Sequence, residues 1–344
     1  MDKKDIILRI VEKAKKKMLT TTYSDIDDFK DVRTWISSGV ASVDYLLNTF
    51  GYNPGIMEVA GISRSGKTTL LLHALKEVHR KGGVSLVIST ERRERKENVI
   101  RMGIDPALLP IKKVKTIESI FDEAIKYIEL VREEAPEIPL LIGIDSLGAT
   151  PTKAEMNAKE DQEFMAVAAR VIKGRLRRIT QIIDDQNTIL FIVNQTYSKV
   201  GQVFGKKSAS YGGEGLKFHR QLGLETTKLS TIKLGDKQTA RKIGQITRVE
   251  ITKSDFTLPE KYIDIPLLWG YGYIPSKELL EFGVENNVLD NYKNGYIVKN
   301  MKEIKWKSLA EYHGLMITDK KAREILNRLL ILSVHKEIKM QRGM

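Results

Sequence analysis

Residues 61–68 read Gly-Ile-Ser-Arg-Ser-Gly-Lys-Thr and fit the phosphate-binding pattern G-x-x-x-x-G-K-[ST]. An apolar run, Ile56–Ala60, precedes them and a helical pattern, Thr69–Leu75, follows, as a P-loop requires. The glycines let backbone N–H groups converge on phosphate oxygens, and the helix N-terminus adds partial positive charge. Lys67 would reach the β- and γ-phosphates, and Thr68 would ligate Mg²⁺. This context predicts nucleoside triphosphate binding and disfavours the alternative, a plain glycine turn before a helix.

Polar residues end three further predicted strands. Asp145 follows the apolar run 140–144 and fits a Walker B carboxylate that holds Mg²⁺ or its water shell, the alternative being an Asp that caps the next turn. Glu91 would orient or deprotonate the attacking water, but it also opens a charged run, 91–97, that is equally typical of a solvated helix face. Gln195 ends the third strand, where a side-chain amide can sense the γ-phosphate.

The segment 196–215, directly after Gln195, is rich in Gly, Lys and Ser. A long loop inside a compact domain is often functional. Charge for phosphates and a ring that stacks are what a single-stranded nucleic-acid contact needs, whereas an ordinary loop is the alternative. The residues that supply them are Phe204, Lys199, Lys206 and Lys207.

A basic helix is predicted over residues 163–183. The spacing i, i+3, i+7 places Arg170, Lys173 and Arg177 on one face, and Arg175 and Arg178 add to the charge. Such a face is usually only solvated. Beside the lysine-bearing loop, however, it becomes a candidate track for phosphates.

The elements that must position these residues alternate between strand and helix patterns from Val59 to about Leu268. This alternation predicts an α/β fold with a mostly parallel twisted sheet, whose ligands bind beyond the carboxyl ends of the strands. Later strand patterns follow one another without helices, which indicates an antiparallel extension at one edge. Strands are expected at 85–88, 140–145, 188–193, 222–229, 245–252 and 262–268, and a helix at 117–134.

Three domains are expected. Residues 1–35 would hold an amphipathic helix, over 4–18, and a linker; the helix would dock on a neighbouring subunit or, alternatively, fold back on its own domain. Residues 36–268 would form the core. Residues 269–344 would form a small domain of short helices and turns that ends in a basic tail.

Composition narrows the class of protein. The chain has 344 residues and a formal net charge of +13, which favours a polyanionic partner, nucleic acid before membrane. The absence of cysteine excludes disulfides, thiolate metal sites and thiol catalysis. No apolar run approaches the roughly 20 residues that a transmembrane helix needs, so we expect a cytoplasmic protein with no membrane partner.

These motifs, in this order, resemble the RecA-type recombinases, including those of phages. The similarity extends from Ile36 to about Asn300 and does not depend on the P-loop alone. The matching runs are Asp145–Glu155, similar to the Walker B segment that leads to the first DNA-binding loop; Phe191–Gln195, similar to the strand before the second; and Val200–Gly205, Tyr211–Gly213 and Leu216–Phe218, similar to that loop and the following helix.

The resemblance implies a RecA-type P-loop ATPase core that forms an ATP-dependent filament on single-stranded DNA and exchanges strands with homologous double-stranded DNA. Glu91, Lys67 and Gln195 would be catalytic, with Gln195 linking the γ-phosphate to DNA binding. In a homo-oligomeric helical filament, Lys253 would reach the ATP of the neighbouring subunit. ATP would contact Gly61, Ser63, Arg64, Ser65, Gly66, Lys67, Thr68, Thr69, Asp145 and Lys253, Mg²⁺ would contact Thr68 and Asp145, and DNA would contact Arg170, Arg177, Lys199, Phe204, Lys206, Lys207, Gly212 and Gly213.

Three positions depart from the bacterial pattern. Asn98 stands where those proteins stack an aromatic ring on adenine, and Asp255 stands where they have a second lysine. The tail after Lys336 is basic where theirs is often acidic, which predicts readier binding of duplex DNA. Two other functions share the same nucleotide motifs: a ring-forming helicase and a regulatory ATPase that does not respond to DNA.

Overall fold

The computed structural model describes residues 9, 11–13, 15–16, 35–90, 96–148, 150–158, 165–183, 186–198, 208–211, 213–235 and 239–342. The chain divides into two compact units, residues 1–35 and 36–344. In the first unit, the described residues 9, 11–13 and 15–16 are helical and lie within the helix predicted over 4–18. The predicted boundary at residue 268 remains a prediction.

The second unit alternates strands and helices. Its helices are α1 (Ala41–Leu47), α2 (Lys67–Arg80), α3 (Lys96–Arg101), α4 (Ile117–Glu134), α5 (Lys153–Asn157), α6 (Met165–Ile183), α7 (Gly213–His219), α8 (Lys277–Glu285), α9 (Leu309–Thr318) and α10 (Lys320–Gln341). Its strands are β1 (Gly55–Gly61), β2 (Val84–Ser89), β3 (Ile111–Lys113), β4 (Leu140–Asp145), β5 (Thr188–Ser198), β6 (Ser208–Ser210), β7 (Leu222–Leu234), β8 (Arg241–Ser254), β9 (Tyr262–Leu268), β10 (Gly272–Tyr273), β11 (Leu289–Tyr292), β12 (Gly295–Val298) and β13 (Met301–Trp306). Among the described residues, no helix is both long enough and apolar enough to cross a bilayer.

A large twisted sheet organises this unit, with the strand order β10-β9-β8-β7-β1-β5-β4-β2-β3 and β6 paired to β5. The ladders from β7 through β1, β5, β4 and β2 to β3 are parallel. The ladders β7–β8, β8–β9 and β9–β10 are antiparallel. The predicted fold class, a mostly parallel sheet with an antiparallel extension at one edge, is confirmed.

Both faces of the sheet are buried, because alternate residues of each central strand point to opposite sides. Phe191 and Leu141 pack in the cluster that includes Leu71 of α2. Leu190 and Ile142 pack in the opposite cluster, which includes apolar residues of α4 and α6. Each such side chain contributes about 1.5–3 kcal/mol when fully buried, so the strand ends that carry polar residues stand on a rigid layer.

The C-terminal region contains more regular structure than the short helices and turns that we predicted. It has a three-stranded antiparallel sheet, β11–β13, and the 22-residue helix α10, which includes the basic tail as far as Gln341. The cause is an apolar stripe at every fourth residue, Leu326, Leu330, Val334 and Ile338, which is buried along α10. The lysines of the tail occupy the other positions and conceal the stripe in the sequence.

Several predicted boundaries around the sheet were wrong. The predicted loop 196–215 begins as a continuation of β5, since Thr196–Ser198 pair with Ser208–Ser210, and it ends where α7 begins at Gly213. Strands β7 and β8 also extend beyond their predicted ends, to Leu234 and from Arg241. Antiparallel backbone pairing continues through polar residues, so the apolar pattern underestimates the length of such strands.

His73 joins the P-loop helix α2 to β10, because its Nε2 atom accepts a hydrogen bond of 3.0 Å from the backbone N–H of Tyr273. Burial, with a smaller contribution from the charge of Lys76, lowers the pKa of His73 from 6.5 to about 3. Between about pH 3 and pH 6.5 the imidazole is therefore neutral in the folded protein, whereas the unfolded chain would protonate it.

We expect this difference to make the protein less stable as the pH falls. Below pH 6.5, His73 of the unfolded chain binds a proton, whereas His73 of the folded protein does so only below about pH 3. Between these two values, a fall in pH therefore favours the unfolded chain. The denaturant midpoint should fall between pH 7 and pH 5, and it should fall less in His73→Gln, whose amide oxygen still accepts from Tyr273. Equal slopes in the two proteins would contradict this assignment.

Candidate nucleotide site and nucleic-acid interface

The predicted nucleotide residues meet at one edge of the sheet, where the carboxyl ends of the parallel strands converge. Gly61, the last residue of β1, pairs with Gln195 of β5 on one side and with Thr226 of β7 on the other. Asp145 ends β4 and pairs with Val193 of β5. The P-loop, the Walker B carboxylate and the predicted sensor are thereby placed on three adjacent strands.

The backbone of the P-loop depends on two glycines in left-handed conformations. Gly61 has a φ of 155° and lies against Thr226, while Gly66 has a φ of 102° and lies against the hydroxyl of Tyr273. A Cβ atom at either position would collide with those oxygen atoms. Glycine is therefore required at both ends of the loop by its conformation and by its neighbours.

Neighbouring strands also hold the loop through hydrogen bonds. The hydroxyls of Ser65 and Thr226 lie 2.6 Å apart, and Ser65 Oγ donates to the carbonyl of Ile62 at 2.8 Å. Gln245 Nε2 donates to the carbonyl of Arg64 at 3.1 Å. Buried polar groups that are satisfied in this way preorganise the loop for a ligand. No local pattern predicted the roles of Thr226 and Gln245, because both lie far along the chain from the P-loop.

The side chains with the predicted chemistry lie together at the start of α2. Lys67 is buried, and its Nζ atom donates to the carbonyls of Gly61 at 2.9 Å and Ile62 at 2.7 Å. Thr68 Oγ1 donates to Asp145 Oδ2 at 2.8 Å. A hydroxyl and a carboxylate are hard oxygen ligands, so this pair fits Mg²⁺. The other predicted nucleotide contacts, Ser63, Arg64 and Thr69, lie on the loop and in the first turn of the helix.

Several predicted site residues lie outside the described residues, and their roles remain predictions. Strand β2 ends at Ser89, and the next residue, Thr90, donates through Oγ1 to the carbonyl of Ser146 at 2.9 Å. This contact places the end of β2 beside the Walker B segment. The predicted site residues outside the described part of the chain are Glu91, Lys199, Phe204, Lys206, Lys207 and Gly212.

A buried polar network begins one residue before the predicted sensor. Asn194 Nδ2 donates to Glu58 Oε1 and to the carbonyl of Tyr211, both at 2.7 Å. Asn194 Oδ1 accepts from the backbone N–H of Gln195 at 2.9 Å. The amide of Asn194 therefore connects the sensor strand with β1 and with the residue that follows β6.

The charge at the centre of this network is balanced by Arg220, which sequence reasoning missed. Arg220 Nη1 pairs with Glu58 Oε2, and Nη2 donates to Thr252 Oγ1 at 3.3 Å. Burial lowers the pKa of Arg220 to about 10, which leaves it charged at neutral pH. One signal was available: Glu58 interrupts the apolar run of β1, and a carboxylate buried at such a position requires a cation.

The basic face of α6 is divided between two roles. Arg170, Lys173 and Arg177 are exposed, in agreement with the predicted face. Arg175 instead pairs with Asp122 of α4 at 2.5 Å, so it is committed to a contact within the protein.

A basic cavity of about 740 Å³ lies between α6 and α7. Lys173, Arg177, Lys217 and Lys253 line it, together with Phe218, whose side chain is 80% exposed. Burial and the nearby charges of Arg177, Lys173 and Lys253 lower the pKa of His219 in the same cavity. The cavity thus has positive potential and an accessible ring. Gly213, a predicted DNA contact, begins α7.

Lys253 lies at the end of β8 and caps the last turn of α7. Its Nζ atom donates to the carbonyls of Lys217 at 3.3 Å, Phe218 at 3.2 Å and Arg220 at 2.5 Å. The carboxylate of Asp255 lies 3.9 Å away. A lysine in this position satisfies carbonyls at a helix C-terminus. Its predicted reach to a neighbouring ATP remains a prediction.

The family model for the RecA N-terminal domain matches residues 5–274. The chain belongs to the RecA family. Curated relatives named protein RecA are similar over most of its length. That of Desulforapulum autotrophicum is 32% identical over 257 residues, 74% of this chain and 71% of the relative. That of Chlorobium chlorochromatii is 30% identical over 256 residues, 74% and 69% of the two chains, and that of Macrococcus caseolyticus is 30% identical over 286 residues, 83% and 78%.

Membership of the RecA family identifies the chain as a recombinase and DNA-repair ATPase, and it does not favour the helicase or the regulatory ATPase. It also implies nucleotide binding, DNA binding and filament formation. The site described above is therefore the candidate nucleotide site of this RecA-family chain, and the basic cavity beside α7 is the first candidate for its DNA contact.

Proposed function

We propose that this RecA-family chain is a DNA-dependent ATPase that uses ATP and Mg²⁺ to form a helical filament on single-stranded DNA and then pairs it with homologous double-stranded DNA. One observation carries the proposal. The P-loop, Asp145 and Gln195 lie together at one edge of the sheet. Asn194, the residue before Gln195, bonds to the carbonyl of Tyr211, which lies within the predicted DNA-binding segment.

The residues of the P-loop supply the electrostatics of phosphoryl transfer. Backbone N–H groups between Gly61 and Gly66 would hold the phosphates, and the ammonium of Lys67 would balance charge that develops on them. Thr68 and Asp145 would hold Mg²⁺, which when bound supplies further positive charge at the phosphates. Glu91 is proposed as the general base that orients the attacking water, on the grounds of its place after β2 and the family resemblance.

Coupling to DNA would run through the end of β5. If the amide of Gln195 bonds to the γ-phosphate, its backbone N–H and the amide of Asn194 shift together, because they share a hydrogen bond of 2.9 Å. Asn194 also holds the carbonyl of Tyr211, so the shift would reach the chain beyond β6. DNA affinity would then differ between the ATP and ADP states, as a switch requires.

Neighbouring subunits would complete the site. We propose that Lys253 approaches the ATP of the adjacent subunit and that the helix within residues 1–35 docks on that subunit, with residues 36–268 as the core and 269–344 as the C-terminal domain. The contacts of Lys253 with α7 support this arrangement, because they would connect a nucleotide at the interface to the cavity that contains Phe218.

The test is ATP hydrolysis with and without single-stranded DNA across a salt series, in the wild type and in two arginine variants. We expect DNA to stimulate hydrolysis and salt to remove the stimulation. The slope of log K for DNA binding against log salt concentration should be smaller by about 0.7 in Arg177→Ala, the value for one lost phosphate contact on a single strand. Arg175→Ala is the matched control, because Arg175 lies on the same helix but pairs with Asp122.

Unchanged hydrolysis with DNA would contradict the DNA dependence. Equal effects of the two arginine substitutions would contradict the assignment of the exposed α6 face to DNA.

A further inference from the structure

A second basic cavity, of about 240 Å³, lies between the P-loop helix α2 and the C-terminal helix α10. Helix α2 contributes Lys76 and Arg80, and α10 contributes Arg323 and Arg328. At a rise of about 1.5 Å per residue, Lys76 lies about 14 Å along α2 from Lys67. The cavity is therefore separate from the nucleotide site, although it shares a helix with it.

The charges that line this cavity do not cancel. Among the described residues that line the cavity, five are basic (Lys76, Arg80, Arg101, Arg323 and Arg328) and two are acidic (Glu77 and Glu324). Asp44 and Asp319, outside the lining, also interact with Arg328 and Arg323. Glu324 pairs with Lys76 at 2.9 Å, and Glu77 pairs with Arg80 at 2.6 Å and lies 3.7 Å from Arg328. His73, which also lines the cavity, is neutral. The lining residues alone therefore have an excess of three positive charges, and burial together with the charge of Arg80 lowers the pKa of Arg328.

Two arginines keep hydrogen-bond donors for a ligand. Arg323 is 9% exposed, stacks over the ring of Tyr271 with 5.2 Å between the guanidinium carbon and the ring centroid, and donates to the carbonyl of Met316. A guanidinium has five donors, so most of those of Arg323 have no acceptor within the described part of the chain. Among the described residues Arg101 forms no ion pair. Arg101 is exposed and Arg323 lines the cavity, so an anion there would accept charge-assisted hydrogen bonds from both.

We propose that this cavity binds a phosphate group, carried either by a small phosphorylated molecule or by the DNA backbone. Phosphate fits better than a carboxylate, because a single carboxylate neutralises one of the three excess charges, whereas a diphosphate neutralises most of them. The planar fork of arginine also matches phosphate oxygens in pairs. A bound phosphate would connect α2 with α10, so it would fasten the C-terminal region to the helix that begins at the P-loop.

The test measures binding of pyrophosphate to the full-length chain by titration calorimetry at constant ionic strength. Every protein carries Lys67→Ala, which weakens binding at the P-loop and makes the result independent of ATP hydrolysis. We expect the parent to bind pyrophosphate and the variant with Arg101→Gln and Arg328→Gln to bind it about tenfold more weakly or worse, as the loss of charge-assisted hydrogen bonds implies. Lys277→Gln is the control, since Lys277 carries the same charge on an 80% exposed side chain outside the cavity.

A parent that does not bind pyrophosphate, or equal weakening by the cavity and control substitutions, would overturn the proposal. Unfolding midpoints measured without ligand establish that the variants fold. A short DNA duplex then identifies the source of the phosphate. If duplex displaces pyrophosphate and itself binds more weakly to the cavity variant than to the control, the cavity takes the DNA backbone; if duplex binding is the same in both, it takes a small phosphorylated molecule.

Discussion

Lys67→Ala is expected to reduce the rate of ATP hydrolysis at saturating ATP by about 100-fold or more, the usual cost of removing one preorganised charge from a reaction centre. Lys67 is 6% exposed and donates to two carbonyls of the P-loop itself, Gly61 and Ile62, so its ammonium is held within the loop that would receive the phosphates. Alanine removes both the charge and the support of the loop.

Lys67→Arg separates these two contributions. Arginine keeps the positive charge, but its planar guanidinium does not reproduce the compact ammonium between the two carbonyls. We therefore expect an intermediate rate, measured as steady-state phosphate release. A Lys67→Ala protein that is folded and hydrolyses ATP within about threefold of the wild type would exclude Lys67 from the chemistry, since such a ratio is less than 1 kcal/mol of barrier.

Arg220→Met is expected to destabilise the protein by about 3–5 kcal/mol, because it leaves a buried carboxylate without its cation. Glu58 is fully buried, and Arg220 is 7% exposed. The loss is measured from the shift of the guanidinium chloride midpoint. The double variant Glu58→Gln/Arg220→Met should recover much of it, because glutamine carries no charge and its amide oxygen can still accept from Asn194.

Arg248→Met provides the matched control. Like Arg220, Arg248 pairs with a carboxylate: its Nε and Nη2 atoms donate to the two carboxylate oxygens of Asp264 at 2.8 Å and 2.9 Å. This pair lies at the surface. Water screens exposed pairs, so its loss should shift the midpoint much less. Equal shifts for Arg220→Met and Arg248→Met would mean that the burial of Glu58 does not increase the cost of removing its partner cation.

The convergence of the P-loop, Asp145 and Gln195 at one sheet edge could be predicted, because it depends on local patterns and on one general property of parallel sheets. Asp145 and Gln195 each follow an apolar run, and the carboxyl ends of parallel strands meet at one edge. Once the strands were recognised, their polar ends had to converge near the P-loop. The ladder that pairs Gly61 with Gln195 is the structural result of that rule.

The partners that hold the site could not be predicted, since they depend on which distant strands become neighbours. Arg220 lies in a turn between α7 and β7 with nothing local to mark it, and its relation to Glu58 appears only when β1 and β7 pair. Thr226 and Gln245 support the P-loop for the same reason. The length of α10 was missed for a different reason: charged residues between the apolar ones conceal the buried stripe in the sequence.

The central place of β1 in the sheet has a consequence for the order in which the chain folds. Both of its ladder partners, β5 and β7, follow it by well over a hundred residues. Contacts between such distant segments form slowly, because closing the long intervening loop costs conformational entropy before the strand pairing can stabilise the chain. During synthesis on the ribosome, Gly61 leaves the exit tunnel before either partner strand exists, so both edges of the strand beneath the P-loop are unpaired at first, and the edge that pairs with β7 stays unpaired the longest. Only after about two thirds of the 344 residues have been made can the chain acquire a rigid phosphate cradle.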